Sequence, residues 1–222
     1  MEGIITYNIA IDGPAGAGKS TIAKRVSGEL SFIYVDTGAM YRSIALYLLR
    51  KDISATDVEA VKVALEDIEI AIQYVNGEQH VLLNGEDVSG QIRTEEVGNM
   101  ASKSSALPCV RAKLLELQKK LAREHDVVMD GRDIGTNILP DAQLKIYLTA
   151  SVDTRASRRY KELIEKGTDC DLEAIKKDIE QRDYQDMHRE TAPLMQAKDA
   201  VYLDSSDMTI DQVVEKIKSL AK

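Results

Sequence analysis

An eight-residue segment near the start of the chain constrains its fold more than any other feature. Residues 13–20, Gly-Pro-Ala-Gly-Ala-Gly-Lys-Ser, match the pattern G-x-x-x-x-G-K-[ST]. An apolar stretch at residues 4–11 predicts a buried strand before the segment, and apolar residues at helical spacing follow it. In such a loop, backbone N–H groups turn inward around phosphate oxygens at a helix N-terminus. The sequence therefore predicts a nucleoside triphosphate site in an α/β fold.

The chemistry of phosphate binding predicts the role of each residue in this loop. We expect Lys19 to reach the β- and γ-phosphates and Ser20 to ligate Mg²⁺. The complete predicted ATP-binding set in this segment is Gly13, Pro14, Ala15, Gly16, Ala17, Gly18, Lys19, Ser20 and Thr21. The motif by itself leaves kinases, ATPases and GTPases open.

Hydrophobic periodicity predicts that strands and helices alternate along most of the chain. Asp153 is a predicted helix N-cap, Gly167 a predicted helix stop, and Thr209 with Gln212 a predicted capping box. This alternation indicates a parallel sheet flanked by helices. The predicted strands lie at residues 32–35, 127–129, 144–148 and 201–203, and the predicted helices at 19–30, 38–50, 108–121, 153–166, 171–179 and 209–220.

The alternation is interrupted between residues 63 and 95. Apolar residues occur at every second position from Ile68 to Tyr74, which is the period of a strand. The dipeptides at 76–77 and 84–85 are both Asn-Gly, the strongest short signal for a β-hairpin turn. We therefore predict a small antiparallel meander of three strands, inserted at residues 63–95.

Two polar segments directly follow predicted strands, where α/β sheets bind their ligands. The first is Asp-Thr-Gly-Ala-Met-Tyr-Arg at residues 36–42, and the second is Asp-Gly-Arg-Asp at 130–133. Asp130 is expected to hold Mg²⁺ through water. An ordinary helix cap and a tight polar turn are the structural alternatives for these two segments.

Five arginines late in the chain stand out in an acidic protein. Arg155, Arg158 and Arg159 share one helix face by their spacing, and Arg182 and Arg189 follow. A solvated surface arginine is the usual interpretation of each one alone. As a set, they suit the repulsion between two phosphate-bearing ligands and the charge of a group in transfer.

Composition excludes several classes of protein. The formal net charge of −8 argues against broad binding to nucleic acid, which needs a basic surface. Residues 1–3 lack a basic n-region, and apolar runs stay well short of the ~20 residues of a membrane span, so we expect neither a signal peptide nor a membrane anchor. Cys109 and Cys170 lack metal-ligand spacing, which favours reduced thiols in a cytoplasmic protein.

Taken together, the motifs resemble the bacterial cytidylate kinase family. The resemblance runs from about residue 4 to residue 217 and rests on segments 13–20, 36–42, 84–89, 92–94, 130–136 and 192–194. It implies a P-loop three-layer α/β fold with a parallel sheet flanked by helices, a small antiparallel β insertion and a short helical lid. The implied division is a core of residues 1–62, 96–152 and 190–222, a monophosphate-binding insertion at 63–95, and a lid with flanking helices at 153–189.

The resemblance also implies an activity and its conditions. A member of this family transfers the γ-phosphate of ATP, with Mg²⁺, to CMP or dCMP, and UMP is a poorer acceptor. A monomeric cytoplasmic enzyme is implied, without nucleic acid or membrane partners.

Site residues follow from the resemblance position by position. Thr37 and Asp186 resemble contacts to the acceptor's sugar or its surroundings. The family often has Ser at the Thr37 position, and the extra methyl of Thr37 bears on the choice between ribose and deoxyribose. The residues implied to read cytosine are Ser102, Arg111 and Asp133. Those implied to hold the acceptor phosphate are Arg42, Arg132 and Arg189. Arg182 is implied to bridge the two nucleotides and Arg158 to bind ATP, and the implied catalytic residues are Lys19, Arg132, Arg159 and Arg182.

The sequence leaves other functions open. One alternative is a kinase for UMP, dTMP or another nucleoside monophosphate, or for a small metabolite such as shikimate. The double Asn-Gly meander argues against the small metabolite. Another is a regulatory GTPase or an NTP-driven binding module, which would be expected to carry an Asn-Lys-x-Asp motif that this sequence lacks.

Overall fold

The computed structural model describes residues 6–221. The strands are β1 (Asn8–Asp12), β2 (Ile33–Asp36), β3 (Ile70–Val75), β4 (Glu78–Leu83), β5 (Glu86–Asp87), β6 (Val127–Gly131), β7 (Leu144–Thr149) and β8 (Val201–Asp204). The α-helices are α1 (Lys19–Leu30), α2 (Thr37–Arg50), α3 (Val58–Glu66), α4 (Glu95–Ser104), α5 (Pro108–Glu124), α6 (Val152–Glu165), α7 (Leu172–His188) and α8 (Ile210–Leu220). A π-helical turn, Ile134–Ile138, follows β6. The first two residues of the strand predicted at 4–11 lie outside the described residues.

Within residues 6–221, five parallel strands form the main sheet in the order β2-β6-β1-β7-β8. The predicted parallel α/β sheet is therefore confirmed. Asp12 at the end of β1 pairs in register with Gly131, and Asp36 at the end of β2 pairs with Asp130. These three strands consequently end at one level, which brings the segments that follow them together at one edge of the sheet.

Apolar residues cover both faces of this sheet. One core packs buried side chains of α2, α3, α4 and α5 with the small antiparallel sheet, and the other packs those of α1 and α8 on β1 and β7. With helices on both faces, the main sheet has the predicted three-layer arrangement. Within the described part of the chain, every helix is too short or too polar to span a bilayer.

The insertion is an antiparallel sheet in the order β3-β4-β5, as predicted. Its turns have positive φ at both central positions, 53° and 79° at Asn76 and Gly77, and 50° and 83° at Asn84 and Gly85. Such turns match the twist of the two strands that they join. Residues 63–66, at the start of the predicted insertion, form the end of α3, and the outer boundaries of the insertion stay a prediction.

Helix ends agree with the sequence at most positions. The capping box of Thr209 and Gln212 is present, and Gly167 has a φ of +73° just beyond α6. The prediction of Asp153 as the cap of α6 is wrong. Ser151 caps this helix by accepting the Thr154 N–H at 3.1 Å, because the chain already turns into the helix at residue 152.

Candidate active site

The segment 13–20 forms a loop between β1 and α1, at the carboxyl edge of the sheet. Gly13 has a φ of +153°, and a Cβ there would lie 1.9 Å from the Leu148 carbonyl oxygen, so only glycine fits. Gly18, without a side chain, precedes the first residue of α1, whose terminal N–H groups are therefore not capped by the preceding residue. We call residues 13–20 the donor loop.

Lys19 is buried at the start of α1. Its ammonium group donates a hydrogen bond to the Pro14 carbonyl oxygen within the same loop, at 2.7 Å. Burial lowers the pKa of Lys19 to about 7, the Arg132 guanidinium adds to this, and Asp130 opposes it. A phosphate beside Lys19 would favour its charged form, so its environment suits an anionic ligand.

The hydroxyl of Ser20, the last residue of the donor loop, lies beside the carboxylate of Asp130. Ser20 Oγ donates to Asp130 Oδ2 at 2.9 Å, and the Tyr34 hydroxyl donates to Asp130 Oδ1 at 3.0 Å. Burial raises the pKa of Asp130 to about 6, and the nearby Asp36 adds to the effect. Hydroxyl and carboxylate oxygens are ligands of the type that Mg²⁺ prefers.

The protein itself supplies few ligands for a metal at this position. Among residues 6–221, groups of three or more His, Cys, Asp or Glu side chains with a metal-binding arrangement are absent. Magnesium sites in nucleotide enzymes commonly take their remaining ligands from water and phosphate. Ser20 and Asp130 fit a site of that kind.

Several arginines influence one another near the carboxyl edge of the sheet. Burial lowers the pKa of Arg42, the positive charges of Arg93, Arg132 and Arg182 lower it further, and Asp36 opposes them. We call these four residues the arginine cluster. Arg93 donates to Asp36 at 2.6 Å. Burial and mutual repulsion make these positive charges unfavourable to hold together. A phosphate dianion between them would offset that cost. The sequence motifs predict no role for Arg93, although segment 92–94 is among those that carry the family resemblance.

Arg111 and Asp133 form a buried ion pair beside this cluster. Asp133 also accepts from Asn137 at 3.1 Å and from Arg189 at 3.3 Å. The Arg111 guanidinium lies 5.5 Å from the centre of the Tyr41 ring, within the range of a cation–π contact. The structure thus brings together three of the predicted acceptor-binding residues, Arg111, Asp133 and Arg189.

Ser102 reaches this pair only through a neighbour. The Ser105 hydroxyl donates to the Ser102 carbonyl oxygen at 3.2 Å, and Arg111 donates to the Ser105 carbonyl oxygen at 3.4 Å. The Ser102 hydroxyl itself donates to Gln185 of α7 at 3.3 Å.

The two residues predicted near the acceptor's sugar have clear partners. Thr37 is buried, and its hydroxyl donates to the Asp130 carbonyl oxygen at 2.7 Å, so its free lone pairs can act only as acceptors. Asp186 on α7 accepts from Arg132 Nε at 2.7 Å and lies 3.9 Å from Arg189.

The other predicted arginines lie on α6 and α7, the helices predicted to form the lid. Arg158 donates to the Ser205 carbonyl oxygen at 2.6 Å, at the end of β8. Arg159 is exposed and pairs with Glu162 of its own helix at 2.8 Å, so the structure does not bring it to the donor loop. Arg182 donates to Asn99 of α4 at 2.9 Å.

Asp12 was missed by the sequence analysis. It ends β1 and accepts the N–H groups of Ile134 and Gly135, both at 2.8 Å. Burial raises its pKa to about 6. Asp12 thereby fixes the loop that carries Arg132, and its position at a strand end, directly before Gly13, was the one available signal.

Comparison with known proteins adds independent findings. The family model "Cytidylate kinase" matches residues 9–222. Cytidylate kinases of Streptococcus pneumoniae strain 70585 and of serotype 4 strain ATCC BAA-334 / TIGR4 are each 50% identical over 218 residues, which is 98% of this chain and of theirs. A solved structure of an uncharacterized protein from Eubacterium ventriosum ATCC 27560 aligns with a TM-score of 0.51 at 12% identity, over 97% of this chain and 98% of that one. At that identity the likeness concerns the fold alone.

Proposed function

This chain belongs to the cytidylate kinase family and is an ATP-dependent nucleoside monophosphate kinase; we propose that it transfers the γ-phosphate of ATP to CMP and dCMP through the residues described above. The products are ADP and CDP or dCDP. The observation that carries the assignment of its site is the buried Arg111–Asp133 pair, which Arg189 and Asp186 connect to Arg132 of the arginine cluster.

On the donor side, the backbone of the donor loop and Lys19 bind the ATP phosphates. Mg²⁺, when bound at Ser20 and, through water, at Asp130, neutralises charge on those phosphates. Arg158 of α6, which donates to Ser205 just after β8, is proposed to contact ATP from the lid. Arg159 completes the catalytic set only if its side chain leaves Glu162 and turns towards the phosphates.

On the acceptor side, Arg42, Arg132 and Arg189 hold the monophosphate, and Arg182 lies between the two nucleotides. Thr37 and Asp186 face the sugar. A separate general base is not needed, because the second pKa of a phosphate monoester is about 6 and the attacking oxygen is already mostly ionised at pH 7. Catalysis by this chain therefore consists of positioning and of stabilising negative charge.

Base choice follows from the hydrogen bonds of Asp133. A carboxylate has about four lone-pair positions, and Arg111, Asn137 and Arg189 occupy three of them. The remaining position suits the exocyclic amino group of cytosine, which donates. Uracil presents a carbonyl oxygen there instead, and two acceptors facing each other would leave both unpaired.

We further propose that the chain works as a monomer in the cytoplasm, with nucleotides as its partners. The family resemblance and the ordinary composition support this proposal. A sedimentation experiment at micromolar concentration tests the monomer.

The experiment for base choice measures ATP consumption with Mg²⁺ and, in parallel, CMP, dCMP, UMP, AMP, GMP and dTMP. We expect fast turnover with CMP and dCMP. Asp133→Asn should lower kcat/KM for CMP by about 10- to 100-fold, because one misplaced donor costs about 1–3 kcal/mol. Asp211→Asn, at an exposed ion pair with Arg25, is the matched control and should change nothing.

Two results would contradict parts of this proposal. Equal turnover with UMP and CMP would keep a kinase but reject the role of Asp133. Absence of turnover with every nucleotide would reject the proposed reaction.

A further inference from the structure

Both backbone polar groups of Ala15, in the middle of the donor loop, bind side chains from the lid helices. The Ala15 carbonyl oxygen accepts from Arg155 Nη1 of α6 at 2.7 Å. The Ala15 N–H donates to Asp183 Oδ1 of α7 at 3.1 Å. The loop is thus hydrogen-bonded by two helices that lie more than a hundred residues further along the sequence.

Arg155 and Asp183 also bind each other. Arg155 Nη2 lies 2.7 Å from Asp183 Oδ2, and Arg155 Nε donates to the Ala150 carbonyl oxygen at 2.9 Å. The two residues are only 4% and 7% exposed. Together with Ala15 they close a ring of three contacts, which we call the Ala15 clamp.

A buried ion pair is weak evidence for a stabilising role. The cost of removing two charges from water often matches or exceeds their attraction. In the Ala15 clamp, the remaining hydrogen bonds of the pair go to backbone atoms of Ala15 and Ala150. This arrangement specifies the conformation of Ala15 more directly than it stabilises the lid.

The loop also packs against the clamp. Gly16 has a left-handed φ of +72°, and a Cβ at this position would lie 3.5 Å from Arg155 Cβ. The backbone turn at Gly16 therefore rests on α6. A shift of Arg155 would consequently move the part of the loop that surrounds phosphate.

Two acidic residues of α7 contact the two proposed nucleotide sites, one at each site. Asp183 and Asp186 are three residues apart on α7 and so lie on the same side of it. Asp183 contacts the donor loop, whereas Asp186 contacts Arg132 on the acceptor side. This pair of acids offers a matched comparison within a single helix.

We propose that Arg155 and Asp183 are positioning residues for the phosphate donor, which hold Ala15 so that the donor loop has its phosphate-binding shape before ATP arrives. Preformed loops bind more tightly because the cost of ordering them is not charged to the ligand. The inference rests on the proposed binding of ATP at residues 13–20.

The test compares conservative variants by calorimetric titration with ATP and, separately, with CMP. Asp183→Asn and Arg155→Lys should each raise the Kd for ATP at least tenfold and leave the Kd for CMP within about threefold. Lysine keeps the charge but cannot reach three acceptors at once as the guanidinium fork does. Asp186→Asn should show the opposite pattern, weaker CMP binding with little change for ATP.

Two further variants separate positioning from folding. Asp153→Asn breaks the exposed ion pair with Lys176 that also joins α6 to α7, at 2.5 Å, and should change neither Kd. The double variant Arg155→Met with Asp183→Leu removes both buried charges and should melt near the wild-type temperature. It should still bind ATP at least tenfold more weakly, because Ala15 loses both partners.

The outcomes are distinct. Wild-type ATP affinity in the double variant, or equal losses for ATP and CMP in Asp183→Asn and Arg155→Lys, would overturn the proposal. A wild-type protein that binds ATP but does not phosphorylate CMP would reject the proposed acceptor and leave the clamp standing. Loss of ATP binding confined to the clamp variants supports it.

Discussion

At and beside the donor loop, burial shifts the pKa values of Asp12, Lys19 and Asp130. The pKa values of the two acids are raised to about 6, and that of Lys19 is lowered to about 7. Each group is charged at a cost that a cation or a phosphate would offset. The folded protein thus carries an energetic cost at the place where we propose that its ligands bind, as active sites commonly do.

Asp130→Asn should stabilise the protein and impair the reaction. The amide can keep both hydrogen bonds, accepting from one hydroxyl and donating to the other, while the buried charge disappears. Above pH 6 we expect a gain of about 2–3 kcal/mol in the free energy of unfolding, since the pKa is raised by about two units. We also expect a large fall in kcat, because Asp130 is proposed to hold Mg²⁺ through water.

The gain should depend on pH in a defined direction. A carboxyl group whose pKa is raised by folding favours the folded state fully below its unfolded value near 4, and this contribution is lost as the pH rises through about 6. The difference in melting temperature between variant and wild type should therefore be small at pH 4.5 and large at pH 8. An equal difference at both values would contradict the origin assigned to it.

At the scale of elements, the two Asn-Gly turns of the insertion look alike but are held differently. Both asparagines have a φ near 50°. The Asn84 side chain accepts the Glu69 N–H at 2.7 Å and donates to the Asp67 carbonyl oxygen at 2.9 Å. Within residues 6–221 the Asn76 side chain makes neither kind of contact. Asn84 thereby ties the β4–β5 turn to the end of α3.

Asn84→Ala should be more destabilising than Asn76→Ala. Both variants place alanine at a left-handed backbone position, so the conformational cost is the same in the two. Only Asn84→Ala also breaks two side-chain hydrogen bonds. The expected extra loss is about 1–3 kcal/mol in the free energy of unfolding, measured with urea. Equal losses in the two variants would show that the Asn84 side chain contributes nothing.

The sequence predicted the strands of the main sheet and most helix ends, because both depend on local patterns. It missed α3 and α4. In α3 the exposed Val63 blurs the apolar stripe, and α4 carries Gly98 and few apolar residues. Their caps, Asp57 and Thr94, accept N–H groups in the ordinary way, but a short polar helix gives too weak a signal to find from spacing.

The candidate site was predictable where motifs mark strand ends and not where distant residues meet. The π-helical turn after β6 is held by Asp12, more than a hundred residues away. The spacing of Arg155 predicts only a helix face shared with Arg158 and Arg159, and the family resemblance assigns it only to the lid. Its contact with Ala15 joins residues 140 positions apart in the sequence. Periodicity specifies a face of a helix but not what lies across from it.

At the scale of the whole molecule, the main sheet separates two hydrophobic cores, and only one of them lies next to the arginine cluster. Ile217 of α8 lies fully buried in the core with α1, and Ile92 lies in the core with α4, directly before Arg93. Arg93 belongs to the arginine cluster, which contains residues that we propose hold the acceptor phosphate. A cavity under Ile92 therefore disturbs that cluster, and a cavity under Ile217 does not.

Ile217→Ala and Ile92→Ala should both lower the free energy of unfolding by about 2–5 kcal/mol. At a temperature where both variants are folded, KM for CMP should rise several-fold in Ile92→Ala and stay at the wild-type value in Ile217→Ala. Steady-state kinetics together with urea unfolding checks the pair. A rise of KM in both variants would contradict the separation.

The place of β1 in the sheet has a consequence for how the chain is made. This strand lies between β6 and β7, so the ribosome must reach residue 127 before β1 meets its first neighbour in the main sheet. Until then its apolar residues lack their sheet partners, which is the condition in which nascent chains need chaperones. The backbone of Ala15 gains its side-chain partners later still, after residues 155 and 183 have been translated. The loop proposed to bind the nucleotide is therefore completed only by residues translated 140 and 168 positions after Ala15.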